Sequence, residues 1–233
     1  MSAEAAESAA TRAPSTVLDA DRIASPEPLV VALRRRLAGR YPIDPFGLDP
    51  QIADLLAPAF DTAIRVRVSG GEHVPNSGPT VIVSNRGFGV FEPAALAVAV
   101  RRASGRRLRV VGAPDFPVMG TVTRRLGAIS SSDPDVAAAL RAGHLVGIPL
   151  APTWLRTGAG DAPSAIARAL TLSPIVPAAV RARGRFGAVI GSWEVTFGPM
   201  VTLAERYDPD DPLAAARFTD AMRRAVGALL ANS

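Results

Sequence analysis

Five short apolar runs alternate with helix-like stretches along this chain, and that alternation limits the fold more than any other feature. The runs are IRVRV (64–68), TVIVSN (80–85), LRVVGA (108–113), LVGIPL (145–150) and PIVPAAV (174–180). Between them lie EPAALAVAVRRA (92–103), DFPVMGTVTRRLG (115–127) and DPDVAAALRAG (133–143). The last has Asp133 as N-cap, Pro134 at the first helical position and Gly143 as its stop. Two helices are expected earlier: 26–42, with an apolar side and an arginine side, and 49–64, disturbed by Pro58. GAVIGSWEVTFGPMV (187–201) reads as a strand or hairpin, and residues 211–232 as an amphipathic C-terminal helix. Strands alternating with helices imply an α/β fold: a central mixed, mostly parallel sheet flanked by helices. No internal repeat or linker interrupts it, so residues 26–233 are read as one domain. The small, polar, acidic stretch 1–25 is read as a disordered tail.

Composition removes several chemistries. The chain has no cysteine, so disulfides and thiolate chemistry are excluded. Only His73 and His144 carry imidazole, and no metal-ligand spacing accompanies them, so no metal is expected. The formal charge is +5 and the basic residues are all arginine. Arginine-rich usage fits a GC-rich genome, and it also suits phosphate contact. Nucleic acid is not an expected partner, because aromatics are only 5% and no basic stretch interleaves with them. The N-terminus lacks the pattern of a signal peptide. The longest apolar stretches, 144–155 and 169–180, are short and broken by proline, well below the ~18 residues that span a bilayer. A cytoplasmic protein is expected, soluble or peripheral on the inner face of the membrane.

The loop SNRGFGVFEP (84–93) follows one strand-like run and opens a helix, which is where α/β proteins place ligands. It is a poor dinucleotide fingerprint: Gly87 and Gly89 fit, but Glu92 stands where the third glycine belongs, and no acidic residue follows about twenty positions later. The absence of lysine excludes a Walker-type loop, and no G-x-S-x-G elbow exists for a hydrolase. Ser130, Ser131 and Ser132 read as a polar loop.

From residue 64 to about 230 the chain resembles the lysophospholipid acyltransferase (1-acylglycerol-3-phosphate acyltransferase) family. Gly70, Glu72, Val74, Pro75, Gly78 and Pro79 match the approach to the family's first motif, and Asn85 matches its Asn. RRLGAI (124–129) sits where an apolar strand leads to the second motif, and AALRAGHLVGIPL (138–150) parallels the lead to the third. Pro174, Ile175, Val176 and Pro177 match the fourth motif, and VTFGPMVTL (195–203) resembles the strand after it. The resemblance implies the glycerol-3-phosphate acyltransferase-like fold and a role in phospholipid metabolism. It further implies acyl-CoA or acyl carrier protein and a lysophospholipid as ligands, with no cofactor.

The departures fall on the chemistry. Arg86 occupies the position of the family's catalytic His, and Phe91 that of the Asp which orients it. Arginine is donor-only and stays protonated near neutral pH, so it does not act as a base. Ile148, Pro149, Leu150 and Ala151 replace Phe-Pro-Glu-Gly, and the second motif's arginine is replaced within ISSSDPD (129–135). Neither histidine restores the dyad: His73 precedes one strand, His144 begins another, and five residues of strand span about 16 Å. Both read as surface or turn histidines. Glu92 is left as the one candidate catalytic carboxylate. Asn85, Arg86 and Phe88 are candidate substrate-binding residues, with Arg86 free to pair with Glu92, face a phosphate or carboxylate, or tie the loop to a neighbour. Trp154 and Arg156 follow the third-motif strand, where the family binds its phosphorylated acceptor; loop packing is the alternative.

The leading reading is a degenerate acyltransferase-like protein that binds a lipid or acyl ligand with weak or no transfer. A working transferase using Glu92 or the substrate's phosphate as base is the second, and a non-enzymatic interaction scaffold the third. Leu29, Val30, Leu33 and Leu37 share one helical side, with Arg34, Arg35, Arg36 and Arg40 over the rest. That helix can lie on an anionic membrane surface or pack its leucine side on the sheet, and packing on the sheet is the favoured expectation.

Overall fold

A computed structural model describes residues 29–39, 43–86, 91–112, 117–129, 133–150, 173–183, 192–201 and 211–232. Residues 1–25, whose disorder the composition suggests, and Ser130, Ser131 and Ser132 lie outside them. The strands are β1 (Arg65–Ser69), β2 (Thr80–Asn85), β3 (Leu108–Val110), β4 (Leu145–Leu150), β5 (Ile175–Arg183) and β6 (Ser192–Phe197). The helices are α1 (Leu29–Leu37), α2 (Pro50–Ala63), α3 (Glu92–Ser104), α4 (Pro117–Arg125), α5 (Asp133–Arg141) and α6 (Pro212–Ala231). The strands form one sheet in the order β1-β6-β5-β2-β4-β3. Neighbours are parallel except β5 and β6, so β1 and β6 run against the other four. This is the mixed, mostly parallel α/β sheet that the alternation predicts.

The burial of each strand follows from its place. β2 and β4 lie inside the sheet and are covered on both faces, so their residues are almost all buried, with unbroken apolar stretches at 81–83 and 145–150. β1 is an edge strand, and its arginines alternate with buried valine. One face of the sheet packs on α3 and α2 through Ile82, Val176, Trp193, Leu96, Val100 and Phe60. The other packs on α5 and α6 through Val83, Ile148, Leu140, Phe218, Met222 and Val226. The α6 contacts recur every four residues, the spacing of one helical side.

The segments that carry the family resemblance converge in space. Gly70 has φ of 69°, and a Cβ there would stand 2.1 Å from the Phe197 carbonyl oxygen, so only glycine fits. The next residue, Gly198, donates its N–H to the Pro177 carbonyl at 2.8 Å. A Cβ on Gly198 would meet the Pro177 ring at 3.0 Å. These small and proline positions are therefore sites of close backbone approach that lock β1, β5 and β6 together.

Three expectations are corrected. Pro58 leaves α2 continuous from Pro50 to Ala63. Tertiary contacts outweigh the local penalty, since Arg101 and Arg102 of α3 donate to the Ala57 and Asp61 carbonyls at 3.3 Å each. His144 is not at the surface: it is 4% exposed, edge-on to Phe46 with ring centroids 5.4 Å apart. The apolar side of α1 is not covered by the sheet where it is described, for Val30 and Leu37 are 76% and 82% exposed.

Candidate active site

β2 places the opening loop. Its apolar run ends at Asn85, whose carboxamide replaces the ladder where β2 and β5 diverge. Nδ2 donates to the Val180 carbonyl at 2.8 Å, and Oδ1 accepts the Val180 N–H at 2.7 Å. The amide thus satisfies a backbone pair that would otherwise lose its partner. On the other side β2 pairs with β4 in register up to Asn85 and Leu150, and Arg86 N–H donates to the Leu150 carbonyl at 3.1 Å. The chain therefore leaves β2 and β4 side by side, at one end of the sheet.

β3 contributes to the same end. Val111 bridges Ile129 in parallel, and the Ile129 carbonyl accepts from Gly112 N–H at 3.3 Å. The segments after β2, after Ile129 and after β4, which correspond to three motifs of the resemblance, thus depart from neighbouring positions.

α3 opens on this end with Phe91 as its N-cap residue and no side-chain cap. Glu92 and Pro93 form its first turn. Glu92 is half-buried, and a carboxylate there interacts favourably with the helix dipole. Phe91 is half-buried and packs against the core beneath α3. The position that holds an orienting Asp in the family is therefore an apolar anchor here. Arg86 is exposed, so its guanidinium is available to an anionic group.

Both imidazoles of the chain sit at the other end of the sheet. His144 immediately precedes β4, and His73 ends a 3-10 turn (Gly71–His73) before β2. β4 alone, over the five steps from Leu145 to Leu150, separates His144 from the loop end by about 16 Å. The structure brings Asn85, Arg86 and the end of β4 together, with Glu92 in the first turn of α3. Phe88, Trp154 and Arg156 lie outside the described residues. Among the described residues no group of three or more His, Asp or Glu could hold a metal ion.

A second polar region escapes the motif comparison. Arg65 and Arg67 of β1, Arg102 of α3, Arg183 of β5 and Trp193 of β6 line one cleft. The only sequence signal was the Arg-x-Arg alternation of β1, which sets two guanidiniums on one face of an edge strand.

No protein-family model matches the chain. Among solved structures it is similar to the 1-acyl-sn-glycerophosphate (LPA) acyltransferase PlsC from Thermotoga maritima, with a TM-score of 0.50 and 15% sequence identity, over 77% of this chain and 78% of that one. Among curated proteins it is 29% identical, over 83% of its length and 70% of theirs, to uncharacterized proteins of Mycobacterium tuberculosis and Mycobacterium bovis. An uncharacterized protein of Mycobacterium leprae is 35% identical over 127 residues, half of this chain and 35% of that protein. The sheet of six strands with helices on both faces is thus similar in fold to a lysophosphatidate acyltransferase.

Proposed function

We propose that the protein binds an acyl-lipid ligand at the end of the sheet where β2 and β4 stop, and transfers acyl groups weakly or not at all. One observation carries this reading: both histidines lie at the opposite end of the sheet from Asn85 and Arg86. The packing of Phe91 into the core supports it, because no carboxylate at that position is left to orient a base. In this reading Arg86 and the α3 N-terminus receive an anionic part of the ligand. Asn85 shapes the loop through Val180. Phe88, Trp154 and Arg156 belong to the same proposed surface on the strength of the resemblance. Candidate ligands are acyl-CoA, acyl carrier protein and lysophospholipids.

A membrane surface fits as a partner. Val30, Val31 and Leu37 are exposed on the same helix as exposed Arg34 and Arg35, an arrangement suited to an anionic lipid interface. Among the described residues no helix is long and apolar enough to cross a bilayer.

The test is an acyl-transfer assay with acyl-CoA or acyl carrier protein as donor and lysophospholipid as acceptor, run beside ligand-dependent melting. The expected result is a raised Tm with ligand and turnover near background. Rapid transfer that disappears in Glu92→Gln would establish the second reading, with Glu92 as base. Neither transfer nor a melting shift would leave the scaffold reading.

A further inference from the structure

α2 is amphipathic the wrong way round. Its two acidic residues, Asp54 and Asp61, stand on one side of the helix, and that side is turned inward. Asp54 accepts from Arg107, just before β3, with both oxygens at 2.8 Å from Nη2. Asp61 pairs with Arg101 and, at 3.9 Å, with Arg102 of α3. Between them the Ala57 carbonyl accepts from Arg101, and Phe60 packs against the core at the margin of the same side.

The opposite side carries no charge. Leu55, Leu56, Ala59, Thr62 and Ala63 recur at helical spacing and are all exposed, Leu55 at 56%. A helix on a water-facing surface ordinarily turns its apolar side in and its charges out. Exposed arginines stand near both ends of this one. Arg124 of α4 lies beside Gly47, three residues before the helix, and Arg102 donates to the Asp61 carbonyl in its last turn.

We propose that α2 is an interfacial helix that rests on anionic lipid, with Leu55, Leu56 and Ala59 among the upper acyl carbons and the arginines at its ends beside headgroup phosphates. The charge pattern favours this occupant. Both carboxylates are turned inward and paired, so the outer side offers nothing that an anionic surface repels. A second copy laid on the same side would set arginine against arginine, whichever way the two helices ran. The outer side is also a convex ridge, which a fluid lipid layer can close around. The proposal concerns the folded body, and it depends neither on α1 nor on acyl-ligand binding.

The chain has no cysteine, so Ala59→Cys and Arg141→Cys each accept a single polarity-sensitive fluorophore. Arg141 is exposed on α5, which packs on the opposite face of the sheet from α2, and serves as the control. With vesicles of phosphatidylglycerol and phosphatidylcholine, the label at 59 should shift to the blue and be quenched by a quencher carried on the lipid chains. The label at 141 should do neither. The shift at 59 should persist in the Leu37→Glu chain. Leu55→Glu should weaken vesicle binding at least about tenfold, the worth of burying one leucine side chain. Its Tm should change little, because that side chain is already mostly exposed. If Leu55→Glu fails to fold, Ala59→Glu, at a small exposed side chain, repeats the measurement. An unshifted label at 59, equal shifts at 59 and 141, or undiminished vesicle binding by the glutamate variants would overturn the proposal. So would a shift at 59 that is lost with Leu37→Glu, which leaves α1 alone in contact with lipid. A shift at 59 that grows with protein concentration in the absence of vesicles would overturn it too, by assigning the stripe to a second copy.

Discussion

At the end of the sheet where β4 begins, Asp44 closes its own turn by accepting from Phe46 and Leu48 N–H at 2.9 and 2.8 Å, and its other oxygen pairs with Arg109. Arg106, also buried, ties the Pro75 and Gly143 carbonyls together at 3.3 and 2.9 Å. Phe46, lying 5.9 Å from the Arg109 guanidinium, covers His144. At the end where β2 and β4 stop, the counterpart residues are an exposed Arg86, a half-buried Glu92 and an Asn85 amide bound only to backbone. The first end uses its charges to hold chain segments together. The second leaves the Arg86 guanidinium exposed, as expected where parallel strands deliver their loops to a ligand. The difference teaches that titratable residues in this chain do not mark a site by themselves. Its two histidines belong to the stabilising end.

Four substitutions sharpen or break that contrast. The largest effect is expected for Asp44→Ala. Arg109 is 1% exposed, with Nε and Nη1 already lacking acceptors, and removing its carboxylate leaves a buried charge unpaired. A loss of about 3–5 kcal/mol is expected in urea unfolding; a loss under about 1 kcal/mol would show that the clamp is not stabilising. Asn85→Ala is next. It strips both bonds from Val180, with an expected loss of about 2–3 kcal/mol and faster hydrogen exchange at the Val180 amide. An unchanged exchange rate would mean that the amide does not hold β5. Glu92→Gln keeps the size of the side chain at a half-buried position and should alter stability by no more than about 1–2 kcal/mol, so a larger change in ligand binding or transfer reports on function. The smallest effect on folding is expected for Leu37→Glu, within about 0.5 kcal/mol, because that side chain is already 82% exposed. The same variant should sediment less with anionic vesicles at low salt. Equal sedimentation would remove α1 from the membrane reading.

The sheet was legible because its signal is local. The apolar runs 80–85 and 145–150 coincide with β2 and β4, and Asp133-Pro134 marks the start of α5. α2 was misjudged at Pro58 because the contacts that sustain it come from arginines more than forty residues away. His144 looked like a turn residue, since Phe46, which buries it, is remote in sequence. At the candidate site, the loop was legible from the strand–loop–helix pattern and the family resemblance. The role of Asn85 was not, because its partner Val180 lies 95 residues on and bonds through backbone. The arginine cleft was invisible for the same reason: register, not sequence proximity, sets Arg65 and Arg183 on either side of Ser192.

The exposed arginines of β1 have a further consequence, for self-association. β1 is an outer strand, and an open strand edge is a template on which another chain can add. Charged side chains projecting from such an edge repel an incoming copy, and Arg102 already occupies the Val66 carbonyl along it. Arg65 and Arg67 therefore act as gatekeepers against edge-to-edge growth into fibrils. Neutralising both should lower the concentration at which the protein aggregates, even though neither guanidinium pairs with another of the described residues.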